Sequence, residues 1–223
     1  MNWHPFILSF ELALITTFAL AILGSILVYL ITTYQFILKP LVKAFISLPL
    51  VLPPTVLGYY LLLAFQPSSG IGNFLATYFG IRLAFSFAGL VIGSIIFSLP
   101  FMVNPIFAAI DNLPDSLKEA SYTLGKSRWE TFWRVILPNV KYSVLVGLIM
   151  AFAHTIGEFG VVLMIGGSIP GVTEVASIAI YHEVEGMNYL AANIYAGVLV
   201  LFSMLVLLGV YGLQNRRKTE MVL

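Results

Sequence analysis

The sequence predicts an all-α membrane protein of five transmembrane helices, with two short helices outside the bilayer between the third and fourth. Three observations predict it. The 223 residues are 60% hydrophobic and only 9% charged. No charge falls within residues 12–38, 44–81, 83–110 or 186–215, and a bilayer-crossing helix needs roughly 20 apolar residues in a row. The basic residues are also one-sided, because only Arg82 of the 11 falls away from the others once the spans are drawn.

The elements follow in order as one domain over 1–223. The first span covers about 12–32; MNWHPF lacks the basic region that opens a cleaved leader, so this span is expected to stay. The second covers about 43–65 and contains Ser47, Pro49, Pro53, Pro54 and Thr55. Proline removes a backbone donor and clashes with the preceding turn, so this helix must kink or break within the membrane. PSSGIGN (67–73) is a turn-rich connection. The third span, about 83–110, carries a second kink signal at Ser98-Leu99-Pro100, with Asn104 beyond it. The fourth covers about 142–165 and the fifth about 193–213. Lys39, Lys43, Lys118, Lys126, Arg128, Arg134, Lys141, Arg216, Arg217 and Lys218 then share one side, which the positive-inside rule makes cytoplasmic, with the N-terminus outside and the C-terminus inside.

Segment 113–138 gathers charge between two apolar blocks. Ser116-x-x-Glu119 reads as a capping box behind Pro114 and Asp115, and Gly125 suits a C-terminal cap. Leu113, Leu117, Ala120 and Leu124 form a narrow apolar stripe. Ser127-x-x-Glu130 opens a second helix whose Trp129, Phe132, Trp133 and Ile136 form a broad face expected to lie along the membrane surface. Pro138 is expected to end it. The pair is either an interfacial connector or a docking element that fits a groove on a cytoplasmic partner.

These residues carry a resemblance. Glu119-Ala120-Ser121, Gly125, Val135 and Leu137-Pro138 resemble the Glu-Ala-Ala, Gly, Ile, Leu-Pro motif of ABC-importer permeases at the family's spacing, with Ser121 and Val135 as mild departures. LPLVLPPTVLGYYLL (48–62), FSFAGLVIGSIIFSLPFMV (85–103) and HTIGEFGVVLMIGG (154–167) are similar to the molybdate/tungstate permease subunits, relatives of the sulfate and thiosulfate permeases. The resemblance implies that 115–125 is a coupling helix seated in a separate ATPase. Leu117, Glu119, Ala120, Ser121, Leu124, Gly125, Arg128, Leu137 and Pro138 are then the coupling residues. It also implies a second copy of the chain, an ATPase dimer that uses ATP and Mg, an extracytoplasmic oxyanion-binding protein, and a bacterial or archaeal cytoplasmic membrane. No nucleic acid is expected. The chain has no G-x-x-x-x-G-K-[ST] phosphate loop, so no cofactor is expected on it and energy would come from the partner.

Ser47, Pro49, Pro53, Pro54, Thr55, Ser98, Pro100 and Asn104 are either packing kinks or the lining of a water-filled path. His154, Thr155, Gly157, Glu158 and Gly160 extend the same candidate path or gate. A carboxylate within a span is costly unless paired. Glu158 would repel an oxyanion, so it reads as a tie or gate element partnered by His154, four residues earlier on the same face, or by a polar group on span three. The flanking glycines would admit a neighbouring helix. His182, Glu183 and Glu185 in the outer loop match no metal signature, and no metal is expected. There is no cysteine, so thiolate chemistry is excluded. An intramembrane hydrolase finds neither H-E-x-x-H nor G-x-S-x-G here, and a passive channel would need no ATPase.

Overall fold

The computed structural model describes residues 2–220, with side chains through Gly212. The side chains of Arg216, Arg217 and Lys218 lie outside the described residues. The described residues form helices and turns. Among the described residues, three helices are long and apolar enough to cross a membrane: α1 (His4–Thr33), α5 (Phe87–Asp111) and α12, whose apolar portion is Tyr189–Gly212 within Tyr189–Glu220. α1 begins eight residues before the expected span, because Pro5 lies in its first turn, where its missing N–H costs nothing.

Two further apolar pairs are bent. α2 (Lys39–Ser47) runs through a 3-10 turn at Leu48–Leu50, then turns 108° into α3 (Pro54–Phe65). The second expected span is therefore not one helix. Pro53 is extended (ψ 133°), as a residue preceding a proline prefers. By contrast α5 runs unbroken through Pro100 and Pro105, so the second kink signal does not interrupt its helix. It starts at Phe87 rather than near residue 83 because the Ser86 hydroxyl caps it, accepting from the Gly89 N–H at 3.2 Å.

The other bent pair joins Arg128–Asn139 to α9 (Lys141–Gly157) at 77°. α9 stops at Gly157, Glu158 is extended, and α10 (Gly160–Gly166) resumes, so the fourth expected span is split within its last third. α4 (Gly70–Phe79) and α11 (Ala176–Glu185) occupy stretches read as connections. α4 begins inside PSSGIGN, where Ser69 caps it by accepting from the Gly72 N–H.

The core lies where α1, α5 and α9 meet. A Cβ on Gly147 of α9 would come 2.5 Å from the Met102 carbonyl oxygen, and one on Gly24 of α1 would come 3.1 Å from the Met102 side chain. Small residues thus let three backbones converge on Met102. Leu20, Val28, Val103, Ile106 and Phe132 complete this cluster. α12 lies outermost, with only 11% of its apolar window buried.

Candidate functional site

Two places collect the residues singled out in the sequence. The first is an elbow at the end of the bundle that bears the basic residues. It is built from α6 (Asp115–Thr123), α7 (Arg128–Thr131), a π-helical turn (Phe132–Ile136) and α8 (Leu137–Asn139). Ser116 does not cap α6. The capping position is Pro114, and Ser116 is already the second helical residue, so its hydroxyl cannot reach back over the free N–H groups. α6 ends in a Schellman turn. Gly125 takes φ +74°, its N–H reaches the Tyr122 carbonyl at 2.9 Å, and the Lys126 N–H reaches Ser121 at 3.1 Å. Gly125-Lys126-Ser127 therefore follows a helix, not the strand that precedes a phosphate loop.

α7 has the complete capping box foreseen at Ser127 and Glu130. The Ser127 N–H and the Lys126 ammonium hold the Glu130 carboxyl below the usual carboxylate range. Ser121, the departure from the motif, is buried and shares a 2.9 Å hydrogen bond with Thr131. The extra hydroxyl thus ties α6 to α7.

The two apolar faces differ from expectation. Leu124 is 80% exposed, while Leu113 packs on the central cluster, so the stripe is divided. Phe132 and Ile136 are buried within that cluster and only Trp129 is exposed. The aromatic face is thus a core element rather than a membrane-surface anchor. Pro138 lies inside α8, which continues through Asn139. Glu119, Ala120 and Arg128 are exposed, and Leu117 and Leu137 are half-buried.

The second place is a cleft of about 540 Å³ at the α9–α10 break. Pro54, Thr55, His154, Gly157, Glu158 and Gly160 line it, as do Phe97, Ala153 and Phe159, which sequence reasoning did not select. Gly160 admits α3, since a Cβ there would lie 2.7 Å from Pro54 Cβ; Gly157 faces open space. Helix α9 ends between His154 and Glu158, so they do not share a helix face.

Each finds its own partner on α5. Ser94 Oγ donates to Glu158 Oε2 at 2.9 Å, while Oε1 is buried without a partner among the described residues. Ser98 Oγ lies 3.0 Å from His154 Nδ1 and 3.0 Å from Thr155 Oγ1, which donates to the Ala151 carbonyl. Counting protons along this chain, Thr155 donates to Ala151 and Ser98 to Thr155, leaving His154 Nδ1–H to donate to Ser98. Phe101 stacks on the imidazole at 4.0 Å.

Ser94 escaped the sequence reading. Its signal was Ser94 and Ser98 at i, i+4, two hydroxyls on one face of an apolar helix. Ser177 was also missed; it donates to the Glu158 carbonyl from α11.

The remaining candidates lie elsewhere. Asn104 donates to Ser47 at 3.3 Å, close to the Lys43–Asp111 pair at 3.3 Å. Pro49 and Pro100 are buried, and Pro53 is exposed. After α10, His182 Nδ1 lies 3.1 Å from Glu174 and 3.2 Å from Ser168. No three His, Asp or Glu side chains among the described residues converge as a metal site.

Comparison with known proteins places this architecture. The chain is 43% identical over 205 residues to the molybdenum transport system permease protein ModB of Azotobacter vinelandii, covering 92% of this chain and 90% of that one. The sulfate transport system permease protein CysT of Synechococcus elongatus is 36% identical, over 93% of this chain and 74% of its own. A solved bacterial alginate ABC transporter, in complex with an alginate pentasaccharide-bound periplasmic protein, superposes with a TM-score of 0.75 at 19% identity, covering 96% of this chain and 78% of that chain. That likeness is one of fold. Residues 21–220 match the family described as binding-protein-dependent transport system inner membrane component, and the chain belongs to that family.

Proposed function

We propose that this chain is the permease subunit of an ATP-driven ABC importer that carries a tetrahedral oxyanion, molybdate or its congener tungstate, into the cytoplasm. The observation that carries the substrate is the 43% identity to ModB along nearly the whole of both chains, against 36% to the sulfate permease over less of its length. In this reading α1, α2–α3, α5, α9–α10 and α12 give five spans, and the elbow lies outside the bilayer. The basic end faces the cytoplasm, by the positive-inside rule. The working assembly holds a second copy of the chain, an ATPase dimer that uses ATP and Mg, and an extracytoplasmic oxyanion-binding protein.

The elbow is the coupling element. Glu119, exposed Leu124 and half-buried Leu117 offer α6 to the ATPase, while the Schellman turn and the Ser121–Thr131 bond make it stiff enough to transmit a push. The cleft is the gate region of the path. Glu158 brings to the cleft a carboxyl oxygen without a partner among the described residues, while Ser98 engages His154 through Nδ1. No lysine or arginine lines the cleft to hold an anion, which fits a gate better than a cargo site.

The deciding experiment is ATP-driven uptake of labelled molybdate into proteoliposomes holding the chain and its ATPase, with the binding protein outside. Competition by tungstate and not by sulfate is expected. Strong sulfate competition would move the chain to the sulfate branch, and uptake without ATP would make it a channel. The gate role is tested separately: Glu158→Gln should change uptake, and unaltered assembly and uptake would remove that role.

A further inference from the structure

We propose that Tyr29 of α1 is a positioning residue through which the elbow drives the first span; this rests on the coupling reading above. α6 packs chiefly on α7 and the π turn, and on no long helix to a comparable extent. A displacement of α6 therefore passes along residues 112–114 into α5 and, through packing, into α7 and the π turn. From there one route is covalent, through α8 into α9. The other is aromatic. The Tyr29 ring meets Trp129 edge-on at 5.0 Å and Phe132 at 5.2 Å, and Phe132 is fully buried. Tyr34 meets the Tyr29 ring edge-on at 6.1 Å, with the Arg128 guanidinium 5.6 Å from the Tyr34 ring.

Beside these rings, Val28 and Ile31 of α1 share a buried apolar cluster with Phe132 and Ile136. A polar cavity of about 290 Å³, lined by Thr32, Thr33, Gln35, Lys118, Tyr122 and Arg128 among others, lies next to it. Contact is thus carried by the aromatic rings and this cluster, which resist compression. At its far end α1 is tied to the gate region. Ser9 Oγ accepts from the Ala176 N–H at 2.8 Å, and the next residue, Ser177, donates to the Glu158 carbonyl. α1 therefore joins the elbow to the α9–α10 break by a path separate from α9.

The test uses the complete assembly in proteoliposomes, reading molybdate imported per ATP hydrolysed. Tyr29→Ala should leave the ATPase bound and hydrolysing, while the ratio falls tenfold or more. Tyr29→Phe, which keeps the ring, should stay within twofold. If the alanine variant does not assemble, Tyr29→Leu decides by the same ratio, because it keeps most of the volume without the ring edge. A ratio within twofold of the unaltered chain for either non-aromatic variant overturns the inference. If the unaltered chain itself does not retain the ATPase, the coupling reading falls first and this inference with it.

Discussion

The elbow and the α9–α10 break are both interruptions in an apolar chain, and they solve the same problem in opposite ways. In the elbow the exposed backbone is closed locally: Gly125 turns the chain, Ser127 and Glu130 cap each other, and Ser121 meets Thr131 ten residues away. At the break almost nothing is local. Glu158 is held by Ser94, 64 residues earlier, and by Ser177, 19 residues later, with one carboxyl oxygen left over. A region closed by its own residues keeps its shape when displaced as a unit. A region held by three other helices changes shape when any of them moves. That difference suits a lever and a gate.

The largest expected effect separates the two glycines of the break. Gly160→Val forces side-chain atoms into Pro54, whose Cβ would already lie 2.7 Å from a Cβ at that position. It should destabilise the protein by about 3 kcal/mol, the upper end for overpacking. Gly157→Ala meets open space and should be neutral or stabilising by up to about 1 kcal/mol, as alanine is favoured over glycine in a helix. Thermal unfolding in detergent checks both. Equal destabilisation by the two would mean that the break is not held by α3.

Next is the long-range tie. Ser94→Ala removes the one hydrogen bond to the Glu158 side chain seen among the described residues and should cost about 1–3 kcal/mol, the range for leaving a buried polar group without its partner. In a Glu158→Met background the same change should cost under about 0.5 kcal/mol. A double-mutant cycle without coupling would show that the two side chains act independently.

The elbow should respond less. Ser121→Ala leaves Thr131 without its partner and should cost about 1 kcal/mol, and Thr131→Val added to it should restore most of that, since replacing both partners is nearly neutral. Failure of the second change to compensate would break the picture of a locally closed unit.

The same contrast explains what was legible in the sequence. The elbow's turn, its second cap and its position followed from residues within a few places of each other. The prolines likewise marked the α2–α3 break. Expectations failed where tertiary packing decided. Phe132 and Ile136 have the spacing of a membrane-surface face, yet Tyr29 and α5 cover them. Pro100 carries a kink signal, yet it sits in an unbroken helix between α1 and α9. Of the path candidates, Pro54, Thr55, His154, Gly157, Glu158 and Gly160 do share one cleft, whereas Ser47 and Asn104 pair elsewhere. Ser94 is an ordinary serine in an apolar run until α9 ends opposite it.

The smallest effect is electrostatic and confined to the elbow. Glu130 accepts from the Ser127 N–H at 3.2 Å and lies 3.4 Å from Lys126 and 3.7 Å from Arg134. The Ser127 N–H first, and then Lys126, favour its charged form, so its folded-state pKa is depressed. Stability from a depressed carboxyl is present above the unfolded-state pKa and lost as pH falls through the folded value. The unaltered protein should therefore unfold at a slightly higher temperature than Glu130→Gln at every pH from 8 to about 5. The gap should close only below the ordinary titration range of glutamate. It should also narrow with salt, because the lysine and arginine contacts are exposed and screened, while the part due to the Ser127 N–H should persist. A gap that closes between pH 7 and 6 would point to a histidine instead. That would make the capping box a bystander in the elbow's stiffness.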